Sequence, residues 1–172
     1  MAVVVATGIA ADGSREVLGL DVGDSEDETF WRGFLTSLKQ RGLQGVRLVI
    51  SDQHAGLVKA LKRSFQGAGH QRCRVHFVRN LLAHVPKSHA DMVAAVFRTI
   101  FARPDAESVS KAWDEVRDQL AKSFPKIGPL MDEAKVEVTA FTAFPRAHWQ
   151  KIWSTNPLSV NRPSEDTFLL AA

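Results

Sequence analysis

The chain has 172 residues, 45% of them hydrophobic and 24% charged, with a single cysteine and a formal net charge of +3. That length and apolar share predict one soluble globular domain and exclude disorder as the main state. A membrane span is excluded because no run of about 18 apolar residues occurs, and an internal disulfide because Cys73 stands alone, which points to a reducing compartment, the cytoplasm. Met1 leads directly into a β-branched stretch without a basic n-region, so no signal peptide is expected.

Ala2 to Ala10 (AVVVATGIA) reads as a buried strand, Ala11-Asp12-Gly13-Ser14 as a turn, and Arg15 to Val22 as the return strand of a hairpin. Ser25 and Glu28 form a capping-box pattern ahead of Phe30, Trp31, Phe34, Leu35 and Leu38 at helical spacing, and Arg41-Gly42 ends that helix. Val46 to Ile50 is a second apolar run, stopping at Ser51-Asp52, after which Leu57, Val58, Leu61 and Phe65 mark another helix. Strand, helix, strand, helix predicts an α/β sheet in which a crossover helix lets the Val46 strand run parallel to an earlier one. From Asn80 onward the pattern is helical, with stripes Met92, Val93, Val96, Phe97, Ile100 and Val109, Trp113, Val116, Leu120 on either side of Arg103-Pro104-Asp105. No repeat or linker marks a domain boundary.

Charge is distributed unevenly. Between Asp12 and Glu28 seven acidic residues oppose Arg15 alone, whereas between Lys59 and Arg103 nine bases oppose Asp91 alone. The basic stretch suits either a phosphate backbone, through counterion release, or a solvated helix face.

Asp52 follows the end of a buried strand, where α/β sheets place functional groups; an Asp there also serves as a helix N-cap. Cys73-x-x-His76 offers two metal ligands where structural zinc takes four, and His54, His70, His84 and His89 supply no second paired spacing, so a packed cysteine with a hydrogen-bonded histidine is the expectation. A hydrolase built on Ser51, Asp52 and His54 lacks the glycine-flanked nucleophile elbow.

Several blocks taken together resemble the Mutator family of bacterial insertion-sequence transposases: Val17-Leu18-Gly19-Leu20 with Gly23-Asp24-Ser25-Glu26 and Phe30-Trp31; Arg41-Gly42-Leu43; Ser51-Asp52-Gln53-His54-Ala55-Gly56-Leu57; Gln71-Arg72-Cys73-Arg74-Val75-His76 with Arg79-Asn80; and Phe144-Pro145, Trp149 and Trp153-Ser154-Thr155-Asn156-Pro157-Leu158. The resemblance implies a ribonuclease H-like mixed sheet with flanking helices and a helical insertion at about 88–140, residues 1–158 being part of a transposase catalytic domain and 159–172 a divergent tail. It also implies an Asp-Asp-Glu triad on two Mg²⁺ ions, hard cations that take carboxylate oxygens and, about 4 Å apart, activate a nucleophile and stabilise the leaving oxygen. Asp52 matches the family's second aspartate and metal ligand. Cys73 and His76 match its Cys-x-x-His signature, shaping the site or touching DNA, and Arg72, Arg74 and Arg79 become phosphate contacts. Asn156 and Pro157 match a structural motif, and the implied partner is DNA at insertion-sequence terminal inverted repeats, with a homo-oligomer or full-length transposase as protein partner and no membrane.

The chain departs from that pattern in two places. The family's first aspartate lies on a strand preceding Ala2 to Ala10, central in the sheet between the hairpin and the Asp52 strand; its loss is expected to strand N–H and C=O groups on two buried edges at roughly 1–3 kcal/mol each. Where the family has its catalytic Glu in a Glu-x-x-Asn arrangement, Leu158 is followed by Ser159-Val160-Asn161, one residue shorter, and Glu165, following Pro163, is expected to be out of register to substitute. Weak or absent Mg²⁺ binding and no transposition by the isolated chain are therefore expected, the alternative being a non-catalytic DNA-binding or transposase-interacting regulator.

Overall fold

The computed structural model describes residues 2–23, 27–155 and 165–171. Strands β1 (Ala2–Ile9) and β2 (Arg15–Gly23) form the expected antiparallel hairpin. Its turn places Gly13 at φ 82°, a left-handed conformation that favours glycine, and the Ser14 N–H donates to Asp12 Oδ1 at 2.8 Å. One residue of β2 is extra between Ala6 and Thr7, and Gly19 beside it packs so closely that a Cβ there would stand 2.7 Å from Leu38.

Helix α1 (Glu28–Gln40) buries Trp31, Phe34, Leu35 and Leu38, the stripe read from sequence. Ser25 lies outside the described residues. The observed N-cap is Asp27, which accepts from Thr29 N, while the Glu28 carboxylate reaches across to Arg63 at 2.6 Å. Strand β3 (Leu48–Ser51) is buried on both faces, and α2 (Ala55–Ser64) follows it.

A short strand β4 (Gly69–Arg72) and α3 (Arg74–Leu82) precede the helices α4 (Ala90–Phe101), α5 (Ala106–Ser123), α6 (Ile127–Val138) and the single-turn α7 (Trp149–Ile152). In α4 the buried positions are Val93, Phe97, Ile100 and Phe101, and Met92, placed in the apolar stripe above, is instead 50% exposed. The α5 stripe of Val109, Trp113, Val116 and Leu120 is buried throughout.

Strand β5 (Glu165–Ala171) lies in the middle of a five-stranded sheet of order β2-β1-β5-β3-β4. It is parallel to β1 and antiparallel to β3. The two edges expected to stand bare therefore face a strand, supplied by a segment read above as a divergent tail. A crossover makes β3 run in the same sense as β2, but β3 pairs with neither hairpin strand; its partners are β4, parallel, and β5.

The mixed sheet separates two apolar cores, as the period-2 alternation of a strand requires. Val49 joins Val4, Ala6 and the buried faces of α1 and α2 on one side; Leu48 and Ile50 join Ile9 and helices α3 to α7 on the other. The second core is aromatic, with Phe77, Phe97 and Trp113 in mutual ring contact. On the hairpin's face away from α1, Val17, Leu20 and Val22 remain at least half exposed. No helix among the described residues is long and apolar enough to cross a membrane.

Candidate functional site

Parallel strands β3 and β4 end side by side, Ser51 opposite Arg72 in register, so Asp52 and Cys73 leave the same edge of the sheet. The Cys73 N–H donates to Ser51 O at 2.9 Å and locks the two strand ends together. Asp52 is half-buried and its Oδ1 accepts from the Gln53 N–H at 2.7 Å. It is not the N-cap of α2: His54 holds that position and makes no side-chain cap bond.

Ser51 is fully buried, and its Oγ lies 2.8 Å from His70 Nε2 and donates to Asp52 O. His70 Nδ1 is 3.8 Å from Glu137 of α6, whose other oxygen accepts from Gln53. Burial holds the His70 pKa below its ordinary value, against the pull of Glu137. The hydroxyl thus bonds a histidine on the neighbouring strand rather than His54, and being closed to solvent it offers no nucleophile.

Gln71, fully buried, joins β4 to the helices. Its Nε2 donates to Val138 O at 2.6 Å and Arg72 O at 2.8 Å, and its Oε1 accepts from Phe141 N at 2.8 Å. Sequence reasoning named it only within a block, since a polar residue in a short polar segment carries no periodic signal.

The basic residues assigned to DNA occupy three different settings. Arg72 lies 4.9 Å over the Phe77 ring, its Nε buried without a hydrogen-bond partner, with burial lowering its pKa against the opposing fields of Glu137, Asp52 and Glu133. Arg74 is committed inward: its guanidinium stands 3.8 Å from the Trp153 ring centre and 4.9 Å from that of Phe101, and burial brings its pKa down to about 10. Arg79, in the last turn of α3, is exposed.

Cys73 is fully buried at the N-cap of α3, with its sulfur accepting from Thr155 N at 3.4 Å and Thr155 Oγ1 at 3.3 Å. Burial pushes the thiol up, but the His76 imidazole and the Thr155 donors outweigh it and leave the group at about 7. The sulfur in turn raises the His76 pKa.

Asn156 and Pro157 lie outside the described residues. Because β5 runs antiparallel to β3, Glu165 and Asp166 head β5 at the end of the sheet where β3 finishes; Glu165 is opposite Val3 in register. Among the described residues no group of three or more His, Cys, Asp and Glu side chains could hold a metal ion. The described donors do not by themselves make up the oxygen-rich set that Mg²⁺ takes.

Comparison with known proteins gives a consistent result. The family described as "Transposase, Mutator family" matches residues 1–163. The transposase for insertion sequence element IS1081 of Mycobacterium tuberculosis is 44% identical over 154 residues, 90% of this chain and 37% of that protein. The transposase for ISRM5 of Rhizobium meliloti is 36% identical over 157 residues, 91% of this chain and 39% of that protein. The transposase for IS256 in transposon Tn4001 of Staphylococcus aureus is 34% identical over 154 residues, 88% of this chain and 39% of that protein. The chain thus spans well under half the length of these relatives.

Proposed function

The chain belongs to the Mutator family of transposases, and from that premise we propose that it is a segment of a ribonuclease H-like DNA strand-transfer core that binds insertion-sequence DNA without cleaving it alone. The observation that carries the reading is the placement of Asp52, where β3 and β4 end together beside Cys73 and His76, the very blocks that resemble the family. Sheet ends of this kind are rigid yet open, which is what a carboxylate acting on a phosphodiester requires. Two helices on one face of a mixed sheet and a helical unit on the other also suit a ribonuclease H-like core.

Asp52 is assigned as the chain's contribution to metal-dependent chemistry. Mg²⁺ held by Asp52 within a full carboxylate set would supply charge stabilisation to the attacking and leaving oxygens. The residues described here position and bind instead. Asp52 is oriented by the Gln53 N–H, Arg72 adds positive charge beside it, and exposed Arg79 is assigned to a backbone phosphate. Asp52 is the carboxylate of this chain that matches the family's metal ligands, and weak Mg²⁺ retention without cleavage is the expected behaviour.

Fluorescence anisotropy with duplex carrying an insertion-sequence terminal inverted repeat, together with a cleavage assay in Mg²⁺ or Mn²⁺, tests both parts. Salt-sensitive binding without cleavage is expected. Failure to bind at low salt would remove the DNA reading, and robust cleavage lost in Asp52→Ala would overturn the claim of inactivity.

The arginines separate by the same assay. Arg79→Ala is expected to weaken binding and to reduce the salt slope by about 1, as the loss of one phosphate contact does. Arg74→Ala is expected to leave the slope unchanged and to lower stability by about 1–2 kcal/mol in a urea melt, because its guanidinium is spent on Trp153 and Phe101.

A further inference from the structure

We propose that Cys73 is a positioning residue whose sulfur latches the segment Trp153–Thr155, which follows α7, to the sheet edge that carries Asp52. On one side, the Cys73 N–H donates to the carbonyl of Ser51, the residue immediately before Asp52. On the other, the Cys73 sulfur accepts both the backbone N–H and the hydroxyl of Thr155, at 3.4 and 3.3 Å. One residue further on, the Arg74 N–H donates to Trp153 O at 3.1 Å and its guanidinium covers the Trp153 ring at 3.8 Å. Two successive residues at the start of α3 therefore hold the segment at both of its ends.

Burial gives these contacts their weight. Cys73 is 0% and Thr155 2% exposed, so water does not replace a bond that opens, and a stranded amide would carry its full desolvation cost. Sulfur suits the place because it is a large, polarizable acceptor that meets two donors at long distance without crowding. Asp52 and Thr155 are remote in sequence, yet one backbone hydrogen bond and one residue's side chain connect their positions. Whatever the segment after α7 presents is thereby held in fixed relation to Asp52. The functional weight of the latch rests on the reading of Asp52 given above; the latch itself does not.

The test is residue-resolved amide exchange by NMR on the full chain. In Cys73→Ala the Thr155 amide is expected to exchange about tenfold faster, the loss of roughly one hydrogen bond, while the Phe97 and Trp113 amides in the helical core keep their rates. Cys73→Ser, which retains an acceptor on a shorter bond, is expected to restore part of the protection. No change at Thr155 in Cys73→Ala, or equal acceleration at Thr155, Phe97 and Trp113, would overturn the proposal. Should Cys73→Ala not fold, Thr155→Val, which keeps the amide and deletes the hydroxyl, is expected to speed exchange at residue 155 about threefold, and Thr155→Ser to return it to the wild-type rate; no difference between these two also overturns the latch. DNA plays no part in these measurements, so a chain that failed to bind DNA would count against the reading of Asp52 and leave the latch standing.

Discussion

A chain ending at residue 164, without β5, is expected to lose its cooperative urea transition and to elute from a sizing column as soluble aggregate rather than monomer. Strand β5 pairs along Val3–Ile9 of β1 and against Leu48–Ile50 of β3. It provides the hydrogen-bonded connection between the β2-β1 hairpin and the β3-β4 pair. Its removal exposes two edges that lie between two apolar cores, where unsatisfied backbone groups cost roughly 1–3 kcal/mol each, and a few such groups equal the whole ~5–15 kcal/mol that stabilises a domain. Exposed edges also pair with other chains, hence the aggregate.

A point change isolates the backbone contribution. Leu169 stands opposite both Thr7 and Ile50, so Leu169→Pro deletes an N–H and inserts a ring in the centre of the sheet, at an expected cost of about 3 kcal/mol or more. If the shortened chain and Leu169→Pro both melt at the wild-type midpoint, β5 is not a structural strand. A synthetic peptide of residues 165–171 that restores monomer to the shortened chain would show that the slot recognises an extended backbone rather than a tether.

What the sequence revealed follows from how far each signal reaches along the chain. The hairpin and helices α1, α2, α4 and α5 declare themselves locally, because an amphipathic stripe or a strand-turn-strand alternation is complete within about 18 residues. Boundaries moved where local signals compete: Ser25 and Asp27 both suit an N-cap, and the structure uses Asp27. Two elements gave no such signal. In β4, Gly69-His70-Gln71-Arg72, the one buried side chain is a glutamine held by hydrogen bonds rather than by apolar packing. Helix α3 opens on Cys73, which makes no cap bond, and its start reads as part of a basic segment. Strand β5 was hidden for a different reason, since its partners β1 and β3 are distant in sequence and nothing within Glu165–Ala171 specifies them.

The candidate site divides along the same line. Asp52, Cys73 and His76 stood out by residue type and position. The contacts that fix them join residues 19 apart for Ser51 and His70, 67 and 70 apart for Gln71 with Val138 and Phe141, and 82 apart for Cys73 and Thr155. A single sequence holds no record of such pairs. Arg74 shows the same limit: as one of a run of bases it reads as a DNA contact, and the aromatic pair that its guanidinium covers leaves no trace in that reading.

Gln71→Leu is expected to be the most damaging single substitution at the site, lowering stability by about 3–5 kcal/mol in urea melts while leaving the side-chain volume nearly unchanged. The leucine would fill the space but abandon three backbone groups, the carbonyls of Val138 and Arg72 and the N–H of Phe141. The orphaned N–H is the most costly, because Phe141 is fully buried among Phe101, Trp149 and Trp153 and each stranded group costs ~1–3 kcal/mol. Gln71→Glu separates hydrogen bonding from volume: its carboxylate still accepts from Phe141 but cannot donate to either carbonyl, and burying its charge adds a penalty. It is therefore expected to be at least as destabilising at neutral pH and to recover part of the loss as the pH falls and the carboxyl becomes a donor. Near-wild-type stability in Gln71→Leu would mean that the helical unit is held to β4 by apolar packing alone. A large loss would identify this buried amide as the joint through which helices α6 and α7 keep their register with the strand ends that carry Asp52 and Cys73.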